Sequence, residues 1–239
     1  MIIAILGFAG QGKSSDEYWN KAGNELTICD KDTMLELPDG AKAQLGADYL
    51  KELSGFDLLV RTPALHPREI AKANPEAPNI LEKVTTNTNE FLRVCPTKNI
   101  IGVTGTKGKG TTSTLMTRML EACGKRVQLG GNIGIPPLEL LKNGIGPDDW
   151  VVLELANFQL IDLKYSPHIA VCLMIEPEHM DWHEDLEEYI AAKQQMFIHQ
   201  TTDDIAIYYA KNENSVSVAD ASEGTLIPYF QAPGAEVKN

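Results

Sequence analysis

The sequence predicts an α/β protein of two successive units, each built on a parallel sheet. Short apolar runs alternate with helix-compatible polar segments along the chain. Two of these runs, residues 2–6 and 100–104, lead directly into glycine-rich turns followed by helical sequence. The chain has 239 residues and 43% hydrophobic content, enough for one large or two modest cores.

In the first unit, residues 1–95, β-type runs are expected at 2–6, 25–29, 56–60 and 79–84. The opening run is read as a first strand and not a signal or a membrane span: it lacks a basic leader, and Gly7 and Gly10 follow at once. Gly7-Phe8-Ala9-Gly10-Gln11-Gly12 is spaced G-x-x-G-x-G, not in the dinucleotide order G-x-G-x-x-G. It reads equally as a nucleotide cradle or as a plain strand–helix corner. Asp30 closes the next strand, where a carboxylate can accept a ribose or base hydrogen bond. Arg61 lies at the expected carboxyl edge of the sheet, before the loop Thr62-Pro63-Ala64-Leu65-His66-Pro67, as a solvated arginine or a phosphate partner. A helix is expected over 87–94, and Cys95-Pro96 marks the boundary.

The second unit, residues 96–239, opens on Ile100-Ile101-Gly102-Val103-Thr104 and the turn Gly105-Thr106-Lys107-Gly108-Lys109-Gly110-Thr111-Thr112. Glycines let backbone N–H groups converge on phosphate oxygens, Lys109 adds a positive charge, and the following helix adds its dipole. That helix is expected over 111–123, stopped at Gly124, with a strand at 126–129. In Gly130-Gly131-Asn132-Ile133-Gly134-Ile135-Pro136, Asn132 reads equally as a ligand hydrogen-bonder or as a turn residue. Trp150-Val151-Val152-Leu153-Glu154-Leu155 is a near-continuous apolar strand carrying one carboxylate. A buried unpaired charge is costly, so Glu154 holds a cation, Mg²⁺ in the first place, or a strand-end salt bridge.

The run 169–175 leads into Glu176-Pro177-Glu178-His179-Met180-Asp181-Trp182-His183. The two histidines lack the H-E-x-x-H pattern, which argues against zinc. His179 is expected as a single nitrogen ligand to a second Mg²⁺, with Asp181 orienting or supplementing it. An amphipathic helix is expected over 185–199. On composition alone, Lys193 on it is a surface lysine. Residues 204–209 and 225–230 read as later strands.

A net charge of −12 excludes a nucleic-acid surface, which needs clustered Lys and Arg, so any phosphate must be met by a local cationic site. Cys29, Cys95, Cys123 and Cys172 have no paired spacing and are expected as reduced, mostly buried thiols of a cytoplasmic protein.

Five motifs together resemble the Mur ligase family, most closely its D-glutamate-adding members. They are Thr104-Gly105-Thr106-Lys107-Gly108-Lys109, Gly131-Asn132-Ile133-Gly134, Leu153-Glu154-Leu155 with Phe158-Gln159-Leu160, Glu178-His179-Met180-Asp181, and Glu188-Tyr189 with Ala191-Ala192-Lys193. The resemblance implies a small Rossmann-like domain at 1–95 that binds a UDP-linked substrate. It implies a P-loop-type ATPase domain at 96–239, truncated, with the family's C-terminal amino-acid-binding domain absent. By position, residues 105–112 contact ATP through Lys109, and Glu154 and His179 hold Mg²⁺, two ions in all. Thr111 is a further metal ligand, Asn132 lies near substrate or phosphate, and Gly10, Gln11, Gly12, Asp30 and Lys31 meet the uridine diphosphate. Lys193 matches the lysine that the family carbamylates, and with Lys109 and His179 it makes up the catalytic set. The implied substrates are UDP-N-acetylmuramoyl-L-alanine, D-glutamate and ATP, joined through an acyl phosphate in peptidoglycan synthesis.

The chain departs from the pattern in three places. Gly110 stands where a Ser or Thr hydroxyl usually follows the loop lysine, leaving Thr111 to serve. Ala156-Asn157 replaces a Ser-Ser pair. The chain stops at Asn239. Lys109-Gly110-Thr111 also resembles the folylpolyglutamate synthases, which gives a second ligase reading; a third is a nucleotide-binding fragment without catalysis.

Overall fold

The structure is a computed structural model that describes residues 1–229. The chain divides into two compact units, Met1–Phe91 and the remainder from Leu92.

The first unit is a five-stranded, all-parallel sheet in the order β3-β2-β1-β4-β5. Its elements are β1 (Ile2–Leu6), α1 (Gly10–Trp19), β2 (Glu25–Asp30), β3 (Lys42–Leu45), β4 (Leu58–Arg61), α2 (Pro67–Ala73) and β5 (Val84–Thr86), and the division falls within α3 (Asn87–Val94). Ile3 to Leu6 are buried because β1 lies at the sheet centre, where neither face meets water. Proline at the start of α2 needs no N–H partner there, and His66 Nδ1 caps the helix by accepting the Arg68 N–H at 3.1 Å. Leu6, Cys29, Leu53, Leu59, Ile70, Ile80 and Val84 form the core. This is a Rossmann-like arrangement, with its reversal of strand order between β1 and β4.

Two expectations change here. Residues 80–83 form a 3₁₀ turn and only Val84–Thr86 is strand. Of the turn's residues Ile80 alone is buried, while Lys83 Nζ donates to the Ser54 and Phe56 carbonyls at 2.8 and 2.9 Å. The strand β3, unexpected from sequence, is an edge strand of only four residues, too short for the alternation of Lys42-Ala43-Gln44-Leu45 to stand out.

The second unit is a six-stranded parallel sheet ordered β11-β10-β9-β6-β8-β7. It comprises β6 (Ile100–Thr104), α4 (Lys109–Ala122), β7 (Val127–Gly131), α5 (Pro137–Leu140), β8 (Trp150–Glu154), α6 (Asn157–Leu160), β9 (Ile169–Cys172), α7 (Leu186–Gln194), β10 (Ile205–Tyr209), α8 (Glu213–Ala219) and β11 (Thr225–Tyr229). Phe230, expected at the end of the last strand, lies outside the described residues. Ile101, Val103, Val152 and Val171 form the buried centre, against Met116 and Leu120 of α4. The helix α4 begins two residues earlier than expected because Gly108, at φ 86°, takes the left-handed N-cap position. At its start α7 is capped by Asp185, whose Oδ1 accepts the Glu188 N–H at 2.8 Å; it ends at Gln194, short of the expected 199.

All four cysteines are free. Cys29 and Cys172 are buried, Cys95 is half-buried, and Cys123 is exposed at the end of α4. No helix among the described residues is long and apolar enough to cross a membrane.

Candidate active site

The strands β6, β8 and β9 end side by side, with β6 between the other two, so the loops after them gather at one carboxyl edge. Register puts Glu154 level with Val103 on one side and Gly131 on the other, and Thr104 level with Cys172. The glycine-rich loop leaves β6 through Gly105, whose φ of 148° and tight contact with Leu173 leave no room for a side chain: a Cβ would lie 2.6 Å from that of Leu173.

Two lysines meet on this loop. Lys109 Nζ donates to the carbonyls of Gly105 and Thr106 at 3.1 and 2.9 Å, and Lys193 Nζ, from α7, donates to the same Gly105 carbonyl at 3.2 Å. Lys193 is 0% exposed, so its reading as a surface lysine is corrected. Its ammonium lies 4.5 Å from the centre of the Tyr189 ring, one helical turn earlier. Burial, reinforced by the nearby Lys109 charge, pushes Lys193 down to about 7, with Cys172 and Glu178 opposing. A lysine in that range has a large share of neutral, nucleophilic amine near neutral pH.

The Glu154 carboxylate is 3% exposed at the end of β8. Asn132 Nδ2 donates to its Oε1 at 3.2 Å, and the Asn132 N–H donates to the Glu154 backbone carbonyl at 2.7 Å. Among the described residues, no other hydrogen bond reaches the carboxylate. Its Oε2 faces Gly110, where a Cβ would stand only 2.9 Å away. The glycine after the loop lysine therefore seats the carboxylate against the first turn of α4.

Thr106 joins the glycine-rich loop to the loop after β9. Its hydroxyl donates to the Glu176 carbonyl and accepts the Glu176 N–H, both at 2.9 Å, and the Tyr189 hydroxyl lies 3.0 Å from it. In the same loop His179 is exposed, with its ring 4.7 Å from that of Phe158 on α6 and Nε2 3.6 Å from Glu178 Oε2. Lys107 and Thr111 are exposed and Thr112 is half-buried. Tyr189, Thr106 as a cross-link, and Asn157 with His183 are the members that sequence reasoning missed. The four-residue spacing of Tyr189 and Lys193 was the available signal.

In the first unit, Gly7 has φ 95°, and a Cβ on Gly12 would lie 2.0 Å from the Gly7 carbonyl oxygen, so this turn accepts only glycine at both places. Asp30 is used locally: Oδ2 accepts the Phe8 N–H at 2.7 Å and Oδ1 the Asp32 N–H at 3.0 Å, which pins the turn to the end of β2. Gln11 Oε1 is buried, without a hydrogen-bond partner among the described residues. Gly10 and Lys31 are exposed. Arg61, read as either solvated or phosphate-facing, is 1% exposed, and its Nη1 donates to the carbonyls of Thr62, Pro63 and Leu65.

The Mur ligase middle domain matches residues 103–232, more than half of the chain and all of the site just described in the second unit. The chain belongs to the Mur ligase family. Among curated relatives, this Mur ligase chain is 35% identical to UDP-N-acetylmuramoylalanine–D-glutamate ligase of Clostridium acetobutylicum, over 99% of the chain and 52% of the relative. The enzyme of that name from Clostridium kluyveri is 36% identical over 94% of the chain and 50% of the relative. The chain thus spans about half the length of the curated relatives it matches. Among solved structures, UDP-N-acetylmuramate:L-alanyl-gamma-D-glutamyl-meso-diaminopimelate ligase from Neisseria meningitides shares the fold, with a TM-score of 0.58 at 16% identity, over 95% of this chain and 77% of that one.

Proposed function

We propose that the chain is the substrate- and nucleotide-binding part of an ATP-dependent amide ligase that adds D-glutamate to UDP-N-acetylmuramoyl-L-alanine, in cytoplasmic peptidoglycan precursor synthesis. The observation that carries this reading is the pair of lysines on the Gly105 carbonyl, beside a buried carboxylate at the start of α4. Transfer of a phosphoryl group to a carboxylate brings two anions together, and catalysis consists mainly of offsetting that repulsion. In this reading residues 105–112 cradle the ATP phosphates, with Lys109 releasing its two carbonyls to reach phosphate oxygens. Asn132 holds Glu154 in place, and the D-glutamate amine then displaces phosphate from the acyl phosphate.

Magnesium fits the residues present. Glu154 is a hard oxygen donor, buried, with Oε2 left open toward α4, and His179 adds an accessible imidazole; this suits an ion that keeps waters and shares phosphate oxygens. Glu154, His179 and Thr111 would hold up to two ions, whose chemistry is charge neutralisation on the transferring phosphoryl group. Lys193, buried with a depressed affinity for its proton, is suited to take up CO₂ and become an anionic carbamate, a third oxygen donor.

Residues 1–95 form the uridine-nucleotide domain in this reading. Gly10, Gln11 and Gly12 open α1, which follows the central strand. Residues from 96 onward form the ATP domain, and a further domain supplies the D-glutamate site. ADP release is the test: with the C-terminal half of the Clostridium acetobutylicum relative supplied, it should require both UDP-N-acetylmuramoyl-L-alanine and D-glutamate and be abolished by Lys109→Ala. Release driven by dihydrofolate and L-glutamate would instead favour the folylpolyglutamate synthase reading. Nucleotide binding with no turnover under any pairing would leave a binding fragment.

A further inference from the structure

His179 has a φ of 59°, in the left-handed region that non-glycine residues avoid, so something must hold the turn around it. Within the turn, its carbonyl accepts the N–H groups of Trp182 and His183, both at 3.0 Å. The turn is then clasped from two helices. From α6, Asn157 Nδ2 donates to His183 Nε2 at 2.7 Å, while the Phe158 ring packs against His179 at 4.7 Å and against Trp182 at 4.8 Å. From α7, Glu188 Oε2 accepts both His183 Nδ1–H and the Glu184 N–H at 3.0 Å.

An amide nitrogen can only donate, so Nε2 of His183 is the acceptor and its ring proton sits on Nδ1, toward Glu188. The His183 side chain is 0% exposed and Asn157 is 3% exposed, so each lost bond would take a hydrogen-bond partner from a side chain that water does not reach. Asn157 stands where the glutamate-adding pattern has serine, whose side chain is one heavy atom shorter along this path.

We propose that Asn157 and His183 are positioning residues: their amide–imidazole bond, backed by Glu188, latches the 179–183 turn so that His179 keeps a fixed place as a metal ligand. The metal role of His179 rests on the proposed function; the latch on the turn does not.

The test takes the chain with Asn157→Ser, Asn157→Leu and His183→Phe. Mn²⁺ uptake with AMPPNP is followed by electron paramagnetic resonance, and amide hydrogen exchange is followed at Trp182 and His183. In each variant the weaker Mn²⁺ should lose about 10- to 100-fold in affinity, the scale seen when supports of metal ligands are removed, while the tighter nucleotide-linked ion is unchanged. Exchange at the two amides should quicken in parallel, and Asn157→Leu combined with His183→Phe should be no worse than either alone. Unchanged exchange at those amides, or equal loss of both ions together with a lowered unfolding midpoint, overturns the latch. If the wild-type chain binds a single Mn²⁺, the metal reading of His179 fails, and the exchange measurement alone decides the latch.

Discussion

Lys109 and Lys193 donate to one carbonyl oxygen, that of Gly105, at 3.1 and 3.2 Å, although they arrive from helices 84 positions apart in sequence. Burial disfavours the charged form of Lys193, and the neighbouring Lys109 ammonium adds to that. An ordinary lysine titrates at 10.5, whereas Lys193 in the fold is held at about 7. Between those values the unfolded chain carries a proton that the folded chain does not. Stability should therefore rise with pH across that window, by up to about 1.4 kcal/mol per pH unit, and below about 7 the charged lysine imposes its full cost. Lys193→Met should abolish this slope. Urea unfolding of both proteins at several pH values between 7 and 9 checks it, and parallel stability profiles would refute it.

The same amine should take up CO₂. In ¹³C-labelled bicarbonate, a carbamate carbon signal should grow from pH 6 to pH 8 as the neutral form of Lys193 accumulates, and should be missing from Lys193→Met. A signal that persists in the variant would place the modification elsewhere.

Gly110 gives the Glu154 carboxylate its seat. Gly110→Ser would bring a Cβ to 2.9 Å from Oε2 and should displace the carboxylate, weakening Mg²⁺-dependent AMPPNP binding about tenfold, or about 1.4 kcal/mol. Titration calorimetry with and without Mg²⁺ separates this from a loss of nucleotide binding itself. With no hydroxyl at position 110, Thr111→Ala should cost more Mg-ATP affinity than Thr112→Ala; equal, negligible effects in both would remove Thr111 from the metal site.

Gly131 and Gly134 both have positive φ, at 121° and 80°, but only the first is crowded: a Cβ on Gly131 would lie 2.1 Å from the Glu154 carbonyl oxygen, and one on Gly134 meets nothing within 4 Å. Gly134→Ala should cost only the backbone term, about 1–2 kcal/mol. Gly131→Ala should cost clearly more, because it also separates Asn132 from Glu154. Thermal unfolding of the pair checks the ordering, and equal losses would mean that the strand end adjusts freely.

The sequence reading succeeded where one physical signal dominated. β1 and α3 were legible to the residue, the first because it is apolar on both faces, the second because Pro96 follows so closely. The end of β6 was legible because Gly105 follows the apolar run, whereas β8 stops at Glu154, one residue short of the expected Leu155, although Leu155 stays buried. Lys193 was misread by composition because burial was judged by residue type. Yet Tyr189, Ala192, Lys193 and Met196, at spacings of three, four and seven, are all buried, so the lysine occupies a position on the apolar stripe of α7. β3 gave no signal because four residues, Lys42 to Leu45, are too few for a period-two pattern to stand out. The pairing of Asn157 with His183 joins residues 26 apart whose types do not announce each other.

Because the Thr106 hydroxyl grips both the N–H and the carbonyl of Glu176, the phosphate loop and the segment leading to His179 cannot shift independently. A γ-phosphate entering the loop would pull on the same rivet that fixes the second loop, and Tyr189 ties that rivet to the helix carrying Lys193. If the glycine-rich loop holds nucleotide as proposed, its arrival would thus be felt at His179 and at Lys193 as a single mechanical event. A methyl in place of one hydroxyl, as in Thr106→Val, would uncouple them.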